Sequence, residues 1–270
     1  MKRPGIIVSL LLFTCFTLAA ASAQQRSSFP SGTIVDLSYP FDEQSVYWPT
    51  AETFKLEKDF EGTTELGYYY SAYRYAAAEH GGTHIDAPVH FAKGHNTVDA
   101  IPLDQLMGTA IVVDVSSKCA NNPDYLISAS DFRNWERRYG RMPNGAIVLL
   151  RTGFGQFYPD RKKYLGTDQR GAGAVASLHF PGLAPETARW LTQYRSIKAI
   201  GLDTASIDYG QSKLFESHRI LFAQNIPAFE NVANLDKLPP NGFFVIALPM
   251  KIKGGSGGPL RIIALLSKQK

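Results

Sequence analysis

The chain has 270 residues, 44% hydrophobic and 19% charged, with a formal net charge of +4. That length is enough for one large core and fits one domain. The small positive charge comes with no basic run interleaved with aromatics, which excludes a nucleic-acid-binding footprint.

Lys2 and Arg3 precede an apolar run from Ile6 to about Ala20, and Ala21-Ser22-Ala23 supplies a small-x-small cleavage site. This is the pattern of a secretory signal peptide. The run is broken by Thr14, Cys15 and Thr17 and is short for a span of ~20 apolar residues. Residues 1–23 are therefore expected to be removed, leaving no stable membrane anchor and a secreted chain, periplasmic if the host is bacterial. Cleavage takes away two basic residues and no acidic ones, so the formal charge falls to +2. Residues 24–32 read as a flexible mature N-terminus, and residues 33–270 as the folded domain. Cys119 is then the one remaining cysteine, with no intramolecular partner; a buried thiol is expected rather than a link between chains.

Thr33 to Leu37 reads as a first strand, and Tyr69 to Ala77, alternating aromatic and small residues, as a strand leading into a histidine-rich run. Continuous apolar runs follow at Ala110–Val115, Ala146–Leu150, Ile197–Leu202, Gly242–Leu248 and Leu260–Leu266. Such runs are typical of strands buried on both faces. Helical patterns lie between some of them. Ser128 to Tyr139 opens with a capping residue and spaces Phe132, Trp135 and Tyr139 three and four apart. Ala184 to Tyr194 begins with Pro185-Glu186, a favourable first turn. Lys213 to Gln224 sets Leu214, Phe215, His218, Leu221 and Phe222 on one face. Strands alternating with helices imply an α/β domain. Gly254-Gly255-Ser256-Gly257-Gly258 is closely flanked by strands and reads as a tight loop near the site, not a linker.

The stretch from Glu79 to Phe91 contains His80, His84, Asp86 and His90, half of the chain's six histidines within eleven positions. Imidazoles with a carboxylate and no cysteine suit a catalytic zinc or manganese centre rather than a closed structural zinc site. Gly81-Gly82 argues against a helix here. A turn entering a strand would point His84 and Asp86 to the same side, and Pro88 would end regular pairing so that His90 can swing back. Outside this run, His218 fits plain packing or metal ligation. Glu230, the single charge in Ile226–Glu230, needs a partner of some kind. His179 precedes Phe180-Pro181-Gly182 and is a candidate pocket residue; Tyr47, Trp48, Phe91, Phe154 and Phe180 are candidate pocket aromatics that would suit a flat ring.

The pattern His-x-Gly-Thr-His-x-Asp-x-Pro-x-His from His80 to His90 resembles the cyclase family of metal-dependent hydrolases, which includes bacterial kynurenine formamidase and isatin hydrolase. The resemblance continues through Asp36-Leu37-Ser38, Trp48-Pro49, Arg151-Thr152-Gly153, Phe180-Pro181-Gly182-Leu183, Gly201 to Asp208, the pair His218 and Glu230, and Leu248-Pro249 to Arg261. It implies a compact swivelling β/α/β domain with a mixed, largely buried sheet, and a homodimer or homotetramer. It also implies roles. His80, His84 and Asp86 would hold one divalent metal; Asp86, His218 and Glu230 would hold a second; His90 would be the general acid/base. One or two ions, zinc or manganese, are expected.

The implied chemistry is hydrolysis of an amide, either an aryl formamide or a lactam, in a small aromatic molecule. A metal-bound hydroxide would attack the carbonyl, and His90 would move the proton. Trp48, Phe91, Phe180 and His179 are the candidate substrate contacts. Lactone or ester hydrolysis is the alternative, as is a secreted binding protein that keeps the fold without catalysis. A serine nucleophile in the glycine loop is disfavoured, because no histidine follows it as that order requires.

Overall fold

A computed structural model describes residues 32–267. The expected signal peptide, residues 1–23, lies outside the described residues, and so does the stretch after it up to Gly32, which opens the first strand. All described residues belong to one compact unit.

The strands in chain order are β1 (Gly32–Asp36), β2 (Lys55–Thr63), β3 (Tyr69–Ala76), β4 (His84–Asp86), β5 (Met107–Asp114), β6 (Leu126–Ile127), β7 (Ala146–Arg151), β8 (Gly182–Leu183), β9 (Ile197–Leu202), β10 (Ala228–Glu230), β11 (Phe243–Pro249) and β12 (Gly257–Ser267). The α-helices are α1 (Ser116–Cys119), α2 (Ala129–Tyr139), α3 (Arg161–Leu165), α4 (Pro185–Tyr194) and α5 (Glu216–Phe222).

The main sheet runs β1-β12-β11-β5-β7-β9-β10-β4, and a further pairing of β4 with β12 closes it on itself. The β5–β7, β7–β9 and β9–β10 pairs are parallel, and the others antiparallel. The mixed, buried sheet expected from the sequence is therefore present. Its apolar runs have a specific cause. Strand side chains alternate between faces, and here both faces are covered. In β7, Ile147 and Leu149 enter one core with Ala110, Val112, Val245 and Ile262. Val148 and Leu150 enter the other, with Ile111, Val113 and the helix residues Phe132, Trp135, Ala188 and Leu191.

Helix α2 begins where its cap dictates: Ser128 and Asp131 form a reciprocal capping box. Helix α4 begins at Pro185, as expected. The expected helix from Lys213 to Gln224 is shorter. Phe215 sits in the left-handed region at φ 48°, so α5 starts only at Glu216, and Leu214 is exposed. The sequence reading missed β2, whose Lys-Leu-Glu-Lys-Asp-Phe-Glu run has no apolar face to bury. Among the described residues it pairs only with β3, forming a ribbon with large side chains exposed along it, including Leu56, Phe60, Tyr69, Tyr70, Tyr73 and Tyr75. Among the described residues no helix is long and apolar enough to cross a membrane.

Candidate metal centre

The closure of the sheet builds the site. Strand β4 is only three residues long, yet it pairs with β10 on one side and β12 on the other. Its register sets Glu230 opposite His84, and Gly257 opposite Asp86. His84 and Asp86, two apart, project to one side, while Ile85 joins the core. A short 3-10 turn, Pro88–His90, brings His90 back so that its ring stacks on His80 at 3.8 Å. Helix α5 supplies His218, buried against Phe91 at 4.7 Å between ring centres.

Asp86 is the hub. Its Oδ1 lies 2.7 Å from His80 Nδ1 and 3.1 Å from His84 Nε2. Its Oδ2 lies 3.2 Å from His218 Nε2 and 3.9 Å from His90 Nε2. Glu230 Oε1 is 3.1 Å from His218 Nε2, and its Oε2 is 3.4 Å from His84 Nε2. Two groups of potential ligands result, His80 with His84 and Asp86, and Asp86 with His218 and Glu230. They share Asp86. All five residues expected as ligands are brought together, and His90 stands apart at the edge with 30% of its side chain exposed.

The hydrogen-bond network assigns the imidazole tautomers. His84 Nδ1 donates to the Gly82 carbonyl at 3.0 Å. His218 Nδ1 donates to Asp208 Oδ2 at 2.6 Å. His80 Nε2 meets Ser256 Oγ at 2.9 Å. Each ring is thus tied at one nitrogen and turns the other toward Asp86. His84 Nε2 is buried and satisfied by no hydrogen bond, although two carboxylates surround it. A lone pair facing two anions needs a cation between them, a proton or a metal ion. Tied imidazoles aimed at shared carboxylates are also how metal ligands are usually held. The residues present therefore fit a divalent ion.

The electrostatics agree. Burial alone would lower His84, but Asp86 and Glu230 outweigh it and push it up to about 10. Burial likewise opposes charge on His218, yet Asp208, Asp86 and Glu230 raise it well above the ordinary histidine value. Burial would raise Asp86, but His80, His218 and His84 hold it well below the usual carboxylate range. His90 goes the other way: burial pushes it down to about 4, aided by the charges of His80 and His218 and opposed by Asp86.

A cavity of about 300 Å³ opens over the centre, lined by Trp48, Phe91, Phe215, Val46, Ser206 and Asn231 as well as the ligand residues. That is the lower end of the range for small-molecule sites. Phe215 stacks on Phe91 at 5.1 Å, so its strained φ sits at the cavity wall. Trp48 and Phe91 thus line the cavity as expected. Phe180 does not: it is fully buried behind Trp48, in edge contact at 6.4 Å. His179 is outside as well, exposed and paired with Asp124 at 2.8 Å. Tyr47 and Phe154 are core residues. The sequence reading did not single out Phe215 as a cavity residue, nor Asp208 as the partner of His218; both contacts join segments whose spacing carries no periodic signal. Cys119 is a buried free thiol, as expected.

A buried carboxylate ringed by oriented imidazoles, beside an aromatic cavity on a mixed sheet, has the make-up of a divalent-metal centre. The chain belongs to the cyclase family, whose model, described as "Putative cyclase", matches residues 35–209. It is 32% identical to isatin hydrolase of Roseibium aggregatum over 198 residues, 70% of this chain and 73% of that protein. It is 27% identical to kynurenine formamidase of Bordetella avium over 230 residues, 84% and 95% of the two chains. The solved structure of isatin hydrolase A from Ralstonia solanacearum superposes with a TM-score of 0.79 at 32% identity, covering 87% of this chain and 92% of the other.

Proposed function

We propose that this protein hydrolyses the amide bond of a small, uncharged aromatic molecule, a lactam or an aryl formamide. The carrying observation is the cavity beside the ligand cluster. Aromatic rings wall it, and no lysine or arginine is among its lining residues. With the ions and histidines confined to the floor, a flat neutral ring suits such a wall better than a zwitterion, whose outer charged groups would meet aromatic rings and no lysine or arginine. The similarity to isatin hydrolase and kynurenine formamidase supports amide chemistry.

His80, His84 and Asp86 would hold one divalent ion and Asp86, His218 and Glu230 a second, zinc or manganese by donor chemistry. When bound, such an ion polarises a carbonyl and lowers the pKa of a coordinated water. The protein's own groups supply the rest. His90, pushed down to about 4, is neutral at pH 7 and so accepts the proton of the attacking water. It then returns that proton to the departing nitrogen as the C–N bond breaks. Trp48, Phe91 and Phe215 orient the ring and exclude water from the carbonyl.

Export through residues 1–23 is part of the proposal, and N-terminal sequencing of protein recovered from the producing cell tests it. So is self-association: the exposed ribbon of β2 and β3 is a surface that a second copy would cover. Light scattering on the purified protein reads its mass. The activity is tested by metal analysis of purified protein, followed by a screen of isatin, aryl formamides including N-formylkynurenine, and lactones. Turnover of isatin or a simple aryl formamide supports the proposal. Preference for lactones would move the protein to ester chemistry. Metal-free protein that neither zinc nor manganese activates would overturn the enzymatic reading in favour of a binding protein.

A further inference from the structure

The glycine loop between β11 and β12 is not accounted for by the ligands or by His90. Ser256 lies within it. Its Oγ donates to Glu79 Oε2 at 2.6 Å, and its backbone N–H donates to the same oxygen at 3.0 Å. A hydroxyl has one proton to give. With that proton committed to a carboxylate oxygen, which can only accept, Ser256 Oγ must accept from His80 Nε2 at 2.9 Å. His80 therefore carries a proton on Nε2, and its Nδ1, 2.7 Å from Asp86 Oδ1, needs a cation between the two, a proton or a metal ion, which makes Nδ1 the atom free to bind a metal.

The glycines on either side of Ser256, the second opening β12, make this approach possible. A Cβ on Gly257 would lie 2.6 Å from His80 Cε1 and 2.5 Å from the Ile85 carbonyl. A Cβ on Gly255 would lie 2.7 Å from Glu79 Oε1. Neither glycine has a positive φ, so close approach, not backbone freedom, is what requires them. Ala87 N–H donates to the Ser256 carbonyl at 2.8 Å, which ties the loop to the end of β4.

We propose that Glu79 and Ser256 are positioning residues: a Glu79–Ser256–His80 relay, seated by Gly255 and Gly257, fixes the tautomer and ring angle in which His80 Nδ1 binds a divalent ion. This rests on the metal-hydrolase reading above. It differs from the carbonyl that orients His84 and the carboxylate that orients His218, because the orienting hydroxyl comes from a separate loop and is itself oriented by the residue preceding its target.

The test uses the purified protein stripped of metal and titrated with Zn²⁺ against a competing chelator. Ser256→Ala should weaken Zn²⁺ binding about 10–100-fold, the usual effect of removing a group that orients a ligand. Ser256→Thr, which keeps the hydroxyl, should retain most of the affinity. Glu79→Gln should weaken it too, since an amide can donate to Ser256 and reverse the relay. The double variant should lose little more than Ser256→Ala alone. In a His80→Ala background, Ser256→Ala should have no further effect. The melting temperature of each metal-free variant reports folding separately; should Ser256→Ala fail to fold, Ser256→Thr and Glu79→Gln carry the comparison. Wild-type protein that binds neither Zn²⁺ nor Mn²⁺ would remove the metal reading and this proposal together. Wild-type binding with undiminished affinity in Ser256→Ala, or an equal loss in the His80→Ala background, would overturn the relay alone.

Discussion

His90→Ala separates proton transfer from metal binding more cleanly than any other single change. His90 Nε2 stands 3.9 Å from Asp86 Oδ2, whereas the nitrogens facing Asp86 on His80, His84 and His218 lie at 2.7, 3.1 and 3.2 Å. Its removal takes away no expected ligand and no hydrogen bond that orients one, only a ring stacked on His80. Metal affinity should therefore change by less than the ~10-fold that loss of an orienting group causes. Turnover should behave differently. With a pKa of about 4, His90 is neutral in all but about one molecule in a thousand at pH 7, so nearly every enzyme molecule carries a competent base. Losing a positioned acid/base group lowers the rate by about 10²–10⁴. The assay is kcat on the best substrate of the screen, with metal content measured on the same sample. A loaded His90→Ala enzyme that keeps more than a tenth of wild-type kcat would refute the assignment, as would a variant that no longer holds metal. Proton uptake by His90 should fail only as the pH falls through about 4, so an acid limb near pH 6.5 would mean that another group limits the rate.

Asp208→Asn removes the charge that holds His218 Nδ1 at 2.6 Å. It should weaken metal binding about 10–100-fold and lower stability by about 1.5–3 kcal/mol, the range for a hydrogen bond to a charged group. Chelator competition and urea unfolding read the two effects, and no change in either would show that Asp208 does not orient His218. The metal-free protein should have its own pH dependence. His84 is raised in the folded state, from 6.5 to about 10, so its stabilisation is full below pH 6.5 and fades as the pH rises toward 10. The metal-free melting temperature should fall across that window, and added metal, taking the proton's place, should abolish the fall. A flat metal-free profile contradicts this reasoning. Burial pushes the Cys119 thiol up to about 12, so a thiol reagent should label it only after unfolding. Rapid labelling of native protein would contradict its burial.

Much of the fold was legible because its strands announce themselves. Ile197 to Leu202 is the extent of β9, and the buried runs at β5 and β7 are apolar on both sides because two cores flank the sheet. The ribbon strand β2 was not legible: a strand that buries neither face carries no hydrophobic period. The helix before Glu216 was overread for the opposite reason. Phe215 and Leu214 continue an apolar pattern, but one lines the cavity and the other faces solvent.

The site divides along the same line. His80, His84, Asp86 and His90 lie close in sequence, so their number and spacing alone point to metal chemistry. The exclusion of Phe180 and His179 from the cavity was decided by packing: each is adjacent in sequence to the other, yet one is sealed in the core and the other turned out to Asp124. Their neighbourhood in the chain says nothing of which way each side chain turns.

The local run, by itself, determined that imidazoles and a carboxylate would be gathered, because strand periodicity carries His84 and Asp86 to one face. Only the tertiary structure decided that Glu230 stands opposite His84, that Asp208 and Ser256 hydrogen-bond two of the imidazoles, and that His90 Nε2 lies 3.9 Å from Asp86, outside both groups of potential ligands. Those contacts arise because β4 pairs with β10 and β12 at once, joining segments far apart in the chain by hydrogen bonds that leave no pattern in the sequence.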